Sequence, residues 1–292
     1  MSTVPESALH YPVEAWSWDP ADVRLYNLSI GAPHSALDDV DLTLVTGGAP
    51  AVFPTMAVLL ADGHSLRSFP LPGVDYDPLD VIYAGHRLEI LGPLNAQEAG
   101  TTSSQLLEVR NTSAGVLVVR ESLSRNEAGR PLVRNVVSSI IRGARTGSVI
   151  TNAAPLENAL ASPGGTAGAQ EADFELRVKT LLQQAVLYSQ NGDVNPLHIS
   201  PAAAKAAGFA RPILHGLCSY GMIAHALLGE IGGQRWGSMG SISARFTAPV
   251  VPGDILTIRG SRVDDRIRFS AWAGSGEEER LVVGRGLLTL AG

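Results

Sequence analysis

The last twelve residues, LVVGRGLLTLAG (Leu281–Gly292), align without a gap to LVRNVVSSIIRG (Leu132–Gly143). Long-range self-similarity constrains a fold more than local propensity does, because each copy must be the same supersecondary unit. Other landmarks recur in the same order. A Leu-Tyr pair stands on a helical-looking segment early in each half, Leu25-Tyr26 and Leu187-Tyr188, and a glycine follows each, Gly31 and Gly192. Pro54 and His215 lie 23 residues beyond those glycines, and each opens an apolar run, TMAVLL and GLCSYGMIAHALL. Ile90-x-x-Pro93 matches Phe246-x-x-Pro249. The chain therefore reads as a duplication. An N-terminal domain covers residues 1–150, a connector 151–172 and a C-terminal domain 173–292. The connector is rich in Ala, Gly, Ser and Thr and has little periodicity. Its Gly-Gly-Thr-Ala-Gly piece lacks the ending of a phosphate loop.

Each half runs short helix, loop, long buried helix, then several strands. In the second half strands are expected over 237–247, 254–263, 266–273 and 280–290, with alternation clear in Ile255–Arg259 and Ile267–Trp272. Pro252-Gly253-Asp254 marks a turn. The pattern predicts an α+β plan, two antiparallel sheets each wrapped around a central apolar helix. At 292 residues the chain is long enough for a core in each half.

With 45% hydrophobic and 17% charged residues the composition is globular. A net charge of -6 argues against nucleic acid as a partner, since phosphate binding needs a basic face. The single Cys218 forbids an internal disulfide and fits a reducing compartment; we read it as packing. The start, MSTVPESALHYP, shows no signal peptide, and no apolar run approaches the length of a membrane span. A cytoplasmic setting without membrane association is expected.

The chemistry does not repeat. Residues 188–221 place Asp193, Asn195 and His198 within six positions, followed by His215-Gly216. A neighbouring Asp and His suit proton transfer to and from water, and a glycine opening a helix offers its N–H to an oxyanion. Pro196 disfavours helix through Asp193–His198, and Gly192 allows an unusual backbone angle before the aspartate. Ser200, Pro201 and Gly208 punctuate a short helix, and a buried one runs from about 215 to 228. The first half has Ala32 and Leu37 in place of Asp193 and His198, and Pro54-Thr55 in place of His215-Gly216. One half is chemically equipped and the other is not. His225 reads as structural, and His10, His34, His64 and His86 are scattered. His198, His215 and His225 lack zinc-ligand spacing, so no metal is expected.

Tyr188, Gly192-Asp193, Asn195-Pro196-Leu197-His198 and Pro212–Leu217 together resemble the hydratase 2 family, also called MaoC-like or (R)-specific enoyl-CoA hydratases. Phe246-x-x-Pro249-x-x-x-Gly253-Asp254 resembles the family's later signature, and the whole chain is similar to its two-domain members. Gln190-Asn191 and Val194 depart from the usual residues beside the pair. The resemblance implies a double hotdog fold whose N-terminal half has lost catalysis and makes room for bulky acyl groups. It implies reversible addition of water to a trans-2-enoyl-CoA, giving the (R)-3-hydroxyacyl-CoA. Asp193 and His198 would hold the water, Gly216 N–H would take the thioester oxygen, and Asn195 would fix the loop or orient the water. Tyr188, Gly192 and His215 would stand at the substrate, Tyr188 by packing. No cofactor is implied, since coenzyme A is part of the substrate. A homodimer is implied, and Arg211 and Arg245 are candidates to reach coenzyme A. Three rival readings share these residues: dehydration of a carrier-protein or bulky thioester, thioester hydrolysis, and a non-catalytic acyl-CoA-binding subunit.

Overall fold

The computed structural model describes residues 9–35, 37–61, 71, 73–77, 80–147, 149–151, 172–233, 236–274 and 279–291. Connector residues 152–171 and His64 lie outside these. The first half contains β1 (Glu14–Trp18), α1 (Pro20–Ser29), α2 (Asp39–Leu42), a 3₁₀ helix (Pro54–Ala61), β2 (Val81–Ile90), β3 (Glu98–Thr112), β4 (Gly115–Asn126) and β5 (Pro131–Arg142). A short β6 (Ile150–Thr151) pairs with β3. The second half contains β7 (Phe174–Lys179), α3 (Gln184–Ser189), α4 (Pro196–Ile199), α5 (Pro201–Ala206) and α6 (Gly216–Glu230). It closes with β8 (Met239–Phe246), β9 (Ile255–Val263), β10 (Arg266–Gly274) and β11 (Arg280–Leu290).

Strand order is β1-β3-β4-β5-β2-β8-β11-β10-β9-β7, with every pairing antiparallel. Read from the centre outward, the two halves list equivalent strands in the same sequence. β5 and β11, the segments that align by sequence, each lie next to the junction strand of their own half. The two expected sheets meet where β2 pairs with β8, Gly85 opposite Arg245 through Glu89 opposite Ser241. They form one continuous sheet of eleven strands among the described residues.

The repeat extends to a detail of both outer edges. Gly100 in β3 faces Trp16 of β1, and Gly260 in β9 faces Phe174 of β7. A Cβ on Gly100 would lie 1.9 Å from the Arg125 carbonyl oxygen and 2.8 Å from the Trp16 ring. On Gly260 it would lie 2.1 Å from the Arg268 oxygen and 2.8 Å from the Phe174 ring. An edge aromatic thus covers a glycine where the neighbouring backbone comes too close for a side chain.

The expected core in each half is instead one shared core. A single cluster joins Val23, Tyr26 and Phe53 of the first half to Leu217, Ile223, Ile258 and Phe269 of the second. With β2 on β8 and the 3₁₀ helix against α6, apolar surface between the halves is buried rather than divided. A smaller cluster around Leu106, Val116 and Ile141 remains in the first half alone. The central helix of the second half is buried along nearly its whole length. Its first-half counterpart is the short 3₁₀ helix over 54–61, and residues 62–70 are outside the described set. Its carbonyls find partners on the sheet: Arg120 Nη2 donates to Ala61 O (2.7 Å) and Asn135 Nδ2 to Ala57 O (3.1 Å). His86 Nε2 donates to Asn135 Oδ1 (2.8 Å).

His225, read as structural, has a partner from the other half. Asp41 Oδ1 accepts from His225 Nε2 (2.6 Å), Asp41 Oδ2 accepts the His34 main-chain N–H (2.5 Å), and His225 Nδ1 lies 3.0 Å from His34 Nε2. Asp41 is 4% exposed and His225 1%, so the chain of bonds ties the first-half loop to α6 inside the protein. Burial opposes ionisation of Asp41, yet the His225 bond and charge and the His34 N–H hold its carboxyl below the usual value.

Two consequences are measurable. Gly260→Ala should lower stability by about 1–3 kcal/mol, the range for overpacking, read as a shift in urea midpoint; an unchanged midpoint would contradict the close approach. The second is acid sensitivity. Burial pushes the imidazole of His86 from 6.5 down to about 4. A base with a depressed folded-state pKa contributes stability that is complete above the unfolded value and is lost as pH falls through the folded one. The urea midpoint should therefore drop between pH 6.5 and 4, and His86→Gln should flatten that slope.

Candidate active site

The equipped loop begins where α3 ends. Gly192 turns the chain with φ +109°, a conformation that L side chains rarely adopt. Asp193 Oδ1 then accepts the Asn195 N–H (3.1 Å), and Asn195 Oδ1 accepts the Leu197 N–H (3.1 Å). The expected non-helical stretch stops at Asn195. Pro196–Ile199 forms one helical turn, because Asn195 caps it and proline suits its first position. His198 therefore sits on a capped turn. Its Nδ1 is 2.8 Å from the Ile213 carbonyl, which can only accept, so Nδ1 carries the proton. In the neutral ring Nε2 is then the unprotonated nitrogen. Ser200 and Gly208 punctuate α5 as expected: Ser200 Oγ accepts the Ala203 N–H and Gly208 has φ +87°.

The second segment of the site is Leu214-His215-Gly216. Leu214 N–H donates to Val250 O (2.7 Å), which fixes the entry to α6 against the segment after β8. His215 Nε2 donates to the Asp193 main-chain carbonyl (3.1 Å). Its distance to Asp193 Oδ2 is 3.8 Å, but burial and the neighbouring His198 push its pKa down to about 4. The ring is neutral, so the contact is not an ion pair. Gly216 opens a helix of 15 residues, and its N–H belongs to the first turn, which has no intrahelical acceptor. One carboxylate oxygen of Asp193 and one ring nitrogen each of His198 and His215 lie within 4.8 Å of one another, a span that one water can bridge.

These groups face a cavity of about 340 Å³. Asp193, Asn195, His198, His215 and Gly216 all line it. Tyr188 and Gly192, also expected at the substrate, do not. Tyr188 is 1% exposed and packs behind the site, its ring 5.0 Å from His215 and 6.2 Å from Tyr26. Gly192 acts through the backbone. Arg211 and Arg245 are also absent from the lining; the arginine there is Arg142, half-exposed beside Asp80. The walls are mostly apolar, with Phe209, Leu217, Phe246 and Val250 from the second half and Val81 and Ile82 from the first. No motif in the linear sequence marks the first-half contribution, since the β2–β8 pairing brings it there. A preorganised acceptor pair, a helix-start N–H and an apolar slot suit reactions that move a proton while charge develops on a carbonyl oxygen.

Comparisons with known proteins place the chain in a family. The family profile described as MaoC like domain matches residues 165–280, and that described as MFE-2 hydratase 2 N-terminal domain matches residues 16–143. Enoyl-CoA hydratase ChsH3 of Mycobacterium tuberculosis is 30% identical over 254 residues, spanning 85% of this chain and 84% of that protein. The peroxisomal enoyl-CoA hydratase 2 of Arabidopsis thaliana is 31% identical, with 84% and 82% covered. The structure of full-length peroxisomal multifunctional enzyme type 2 from Drosophila melanogaster superposes with a TM-score of 0.79 at 27% identity; it covers 95% of this chain, which spans 48% of that longer one. The chain belongs to the MaoC-like, hydratase 2 family.

Proposed function

We propose that the protein is an (R)-specific enoyl-CoA hydratase, adding water reversibly to a trans-2-enoyl-CoA to give the (R)-3-hydroxyacyl-CoA. One observation carries this: Asp193, His198 and Gly216 line the same largely apolar cavity. In the hydration direction a water held between Asp193 Oδ2 and His198 Nε2 gives up a proton to the pair as its oxygen bonds to C3. The C2–C3 π electrons move toward the thioester, and the charge on its oxygen is met by Gly216 N–H. The pair then returns a proton to C2. One proton passes through the protein, and the pair ends as it began. The scheme assigns that proton to the pair as a unit rather than to either residue. The Asn195 side chain serves the loop, its Oδ1 being spent on the Leu197 N–H.

The scheme requires no cofactor, because hydration leaves the oxidation level of the substrate unchanged overall and coenzyme A enters with it. A cytoplasmic homodimer belongs to the same proposal. No helix of the described residues is long and apolar enough to cross a membrane, while two of the relatives above are peroxisomal by name.

Purified protein should remove the enoyl-thioester absorbance of crotonyl-CoA, or of longer and branched homologues, without releasing free thiol. Asp193→Asn and His198→Gln should each lower kcat by about 10²–10⁴-fold. Free thiol in step with substrate loss would mean thioester hydrolysis instead. Gly216→Pro isolates the oxyanion donor. His215 has ψ 134°, which proline tolerates after it, and a Cβ at 216 meets only Phe246 at 3.6 Å. Proline also suits the first position of a helix. The variant should fold and lose about 10²–10³-fold in kcat; retained turnover would remove Gly216 N–H from the mechanism.

A further inference from the structure

We propose that His215 is a positioning residue that holds both members of the acid/base pair, its Nε2–H tethering the main chain of Asp193 and its ring face setting the plane of His198. This rests on the hydratase reading and replaces the substrate contact expected for His215.

Three neighbours of the ring supply the observations. His215 is the last residue before α6, where a side chain usually caps the helix, yet it makes no capping bond. It turns back toward the loop instead. On one face its ring lies 3.8 Å from that of His198 at an interplanar angle of 30°. Tyr188 approaches it at 5.0 Å and 45°. At its edge, Nε2 reaches the Asp193 carbonyl at 3.1 Å. The residue is 2% exposed, so solvent does not compete for these contacts. Because Nε2 faces a carbonyl, it carries the proton. Nδ1 is therefore a bare acceptor, and it is buried without a hydrogen-bond partner among the described residues. Leaving a buried acceptor unmet is unfavourable. Its retention fits a ring whose donor and flat face are what the site requires.

A neutral ring is also the one this place tolerates. The titratable groups facing it are His198 on α4, Asp193 on the preceding loop and Tyr188 on α3. A charge on His215 would stack a cation on His198 and hinder the imidazolium that His198 forms during turnover. The tether and the stack act on different partners. The Nε2 bond restrains the backbone from which the Asp193 carboxylate projects, while the Ile213 bond and the His215 face together fix the His198 ring. Neither Asp193 nor His198 is itself deeply buried, so their geometry depends on such neighbours.

Two side-chain properties can be separated by substitution. Phenylalanine keeps a flat face and loses the N–H; glutamine keeps an N–H and loses the face. His215→Phe should lower kcat by about 10²-fold, the penalty for misplacing reacting groups by an ångström, with KM held within about two-fold. His215→Gln should recover about ten-fold of that loss. A rise in KM with kcat unchanged would mean a substrate contact, and a phenylalanine variant as active as the parent would mean no positioning role. Either overturns the proposal. Circular dichroism and thermal melts of both variants establish that they are folded. An independent arm uses the unmodified protein: long-range ¹H–¹⁵N correlation of histidine rings should show His215 as the neutral Nε2–H form at pH 7 and still at pH 5.5. An Nδ1–H tautomer or an imidazolium at pH 7 overturns the proposal. That arm needs no turnover, so failure of the hydratase reading and failure of this one are distinguishable.

Discussion

The antiparallel pairing of β2 with β8 is the contact on which the remaining architecture depends. It turns two half-sheets into one, and it lets the apolar faces of both halves drain into a single core. It also sets the start of β2 beside the end of β8, so that Val81, Ile82 and Phe246 line one cavity. The cavity thus belongs to neither half. A second tie, Asp41 to His225 and His34, holds the first-half loop to the body of α6. The helix that presents Gly216 at one end is anchored to the other half along its length.

Duplication followed by divergence explains why the halves share a frame and differ in chemistry. The equivalent outer edges keep an aromatic over a glycine, Trp16 on Gly100 and Phe174 on Gly260, because backbone proximity there admits no side chain. Such features are fixed by the sheet. Asp193, Asn195 and His198 are fixed by a few local bonds on an exposed loop, which Ala32 and Leu37 at the matching positions do not require. The sheet therefore preserves the repeat while the loops are free to lose or keep chemistry. In place of a long central helix, the described part of the first half has a short one whose carbonyls are met by Arg120 and Asn135 from the sheet. Hence a polar interior is found there.

Much of this was legible in the sequence, and the limits have physical causes. Strands β8 to β11 followed from alternation and turn residues, and Asp193, His198 and Gly216 from their types and spacing. The helical turn at Pro196–Ile199 was not, because proline both disfavours helix before it and starts one, and only the Asn195 cap decides between them. A shared core in place of two depends on pairing between strands some 160 positions apart, which leaves no local mark. The Asp41–His225 bond spans 184 positions, so His225 looked partnerless. Tyr188 packs, as its place beside the loop suggested. Its neighbours in sequence are the site, but its side chain points into the core shared with Tyr26.

The central claim is that one pair on one face of the substrate handles both halves of a water molecule. The most direct test is turnover of a trans-2-enoyl-CoA in D₂O, with the configuration at C2 and C3 read in the isolated product. The account predicts one deuterium at C2 and the hydroxyl at C3 on the same face, with R configuration at C3. Addition to opposite faces, an S alcohol, or release of the free carboxylic acid would contradict it.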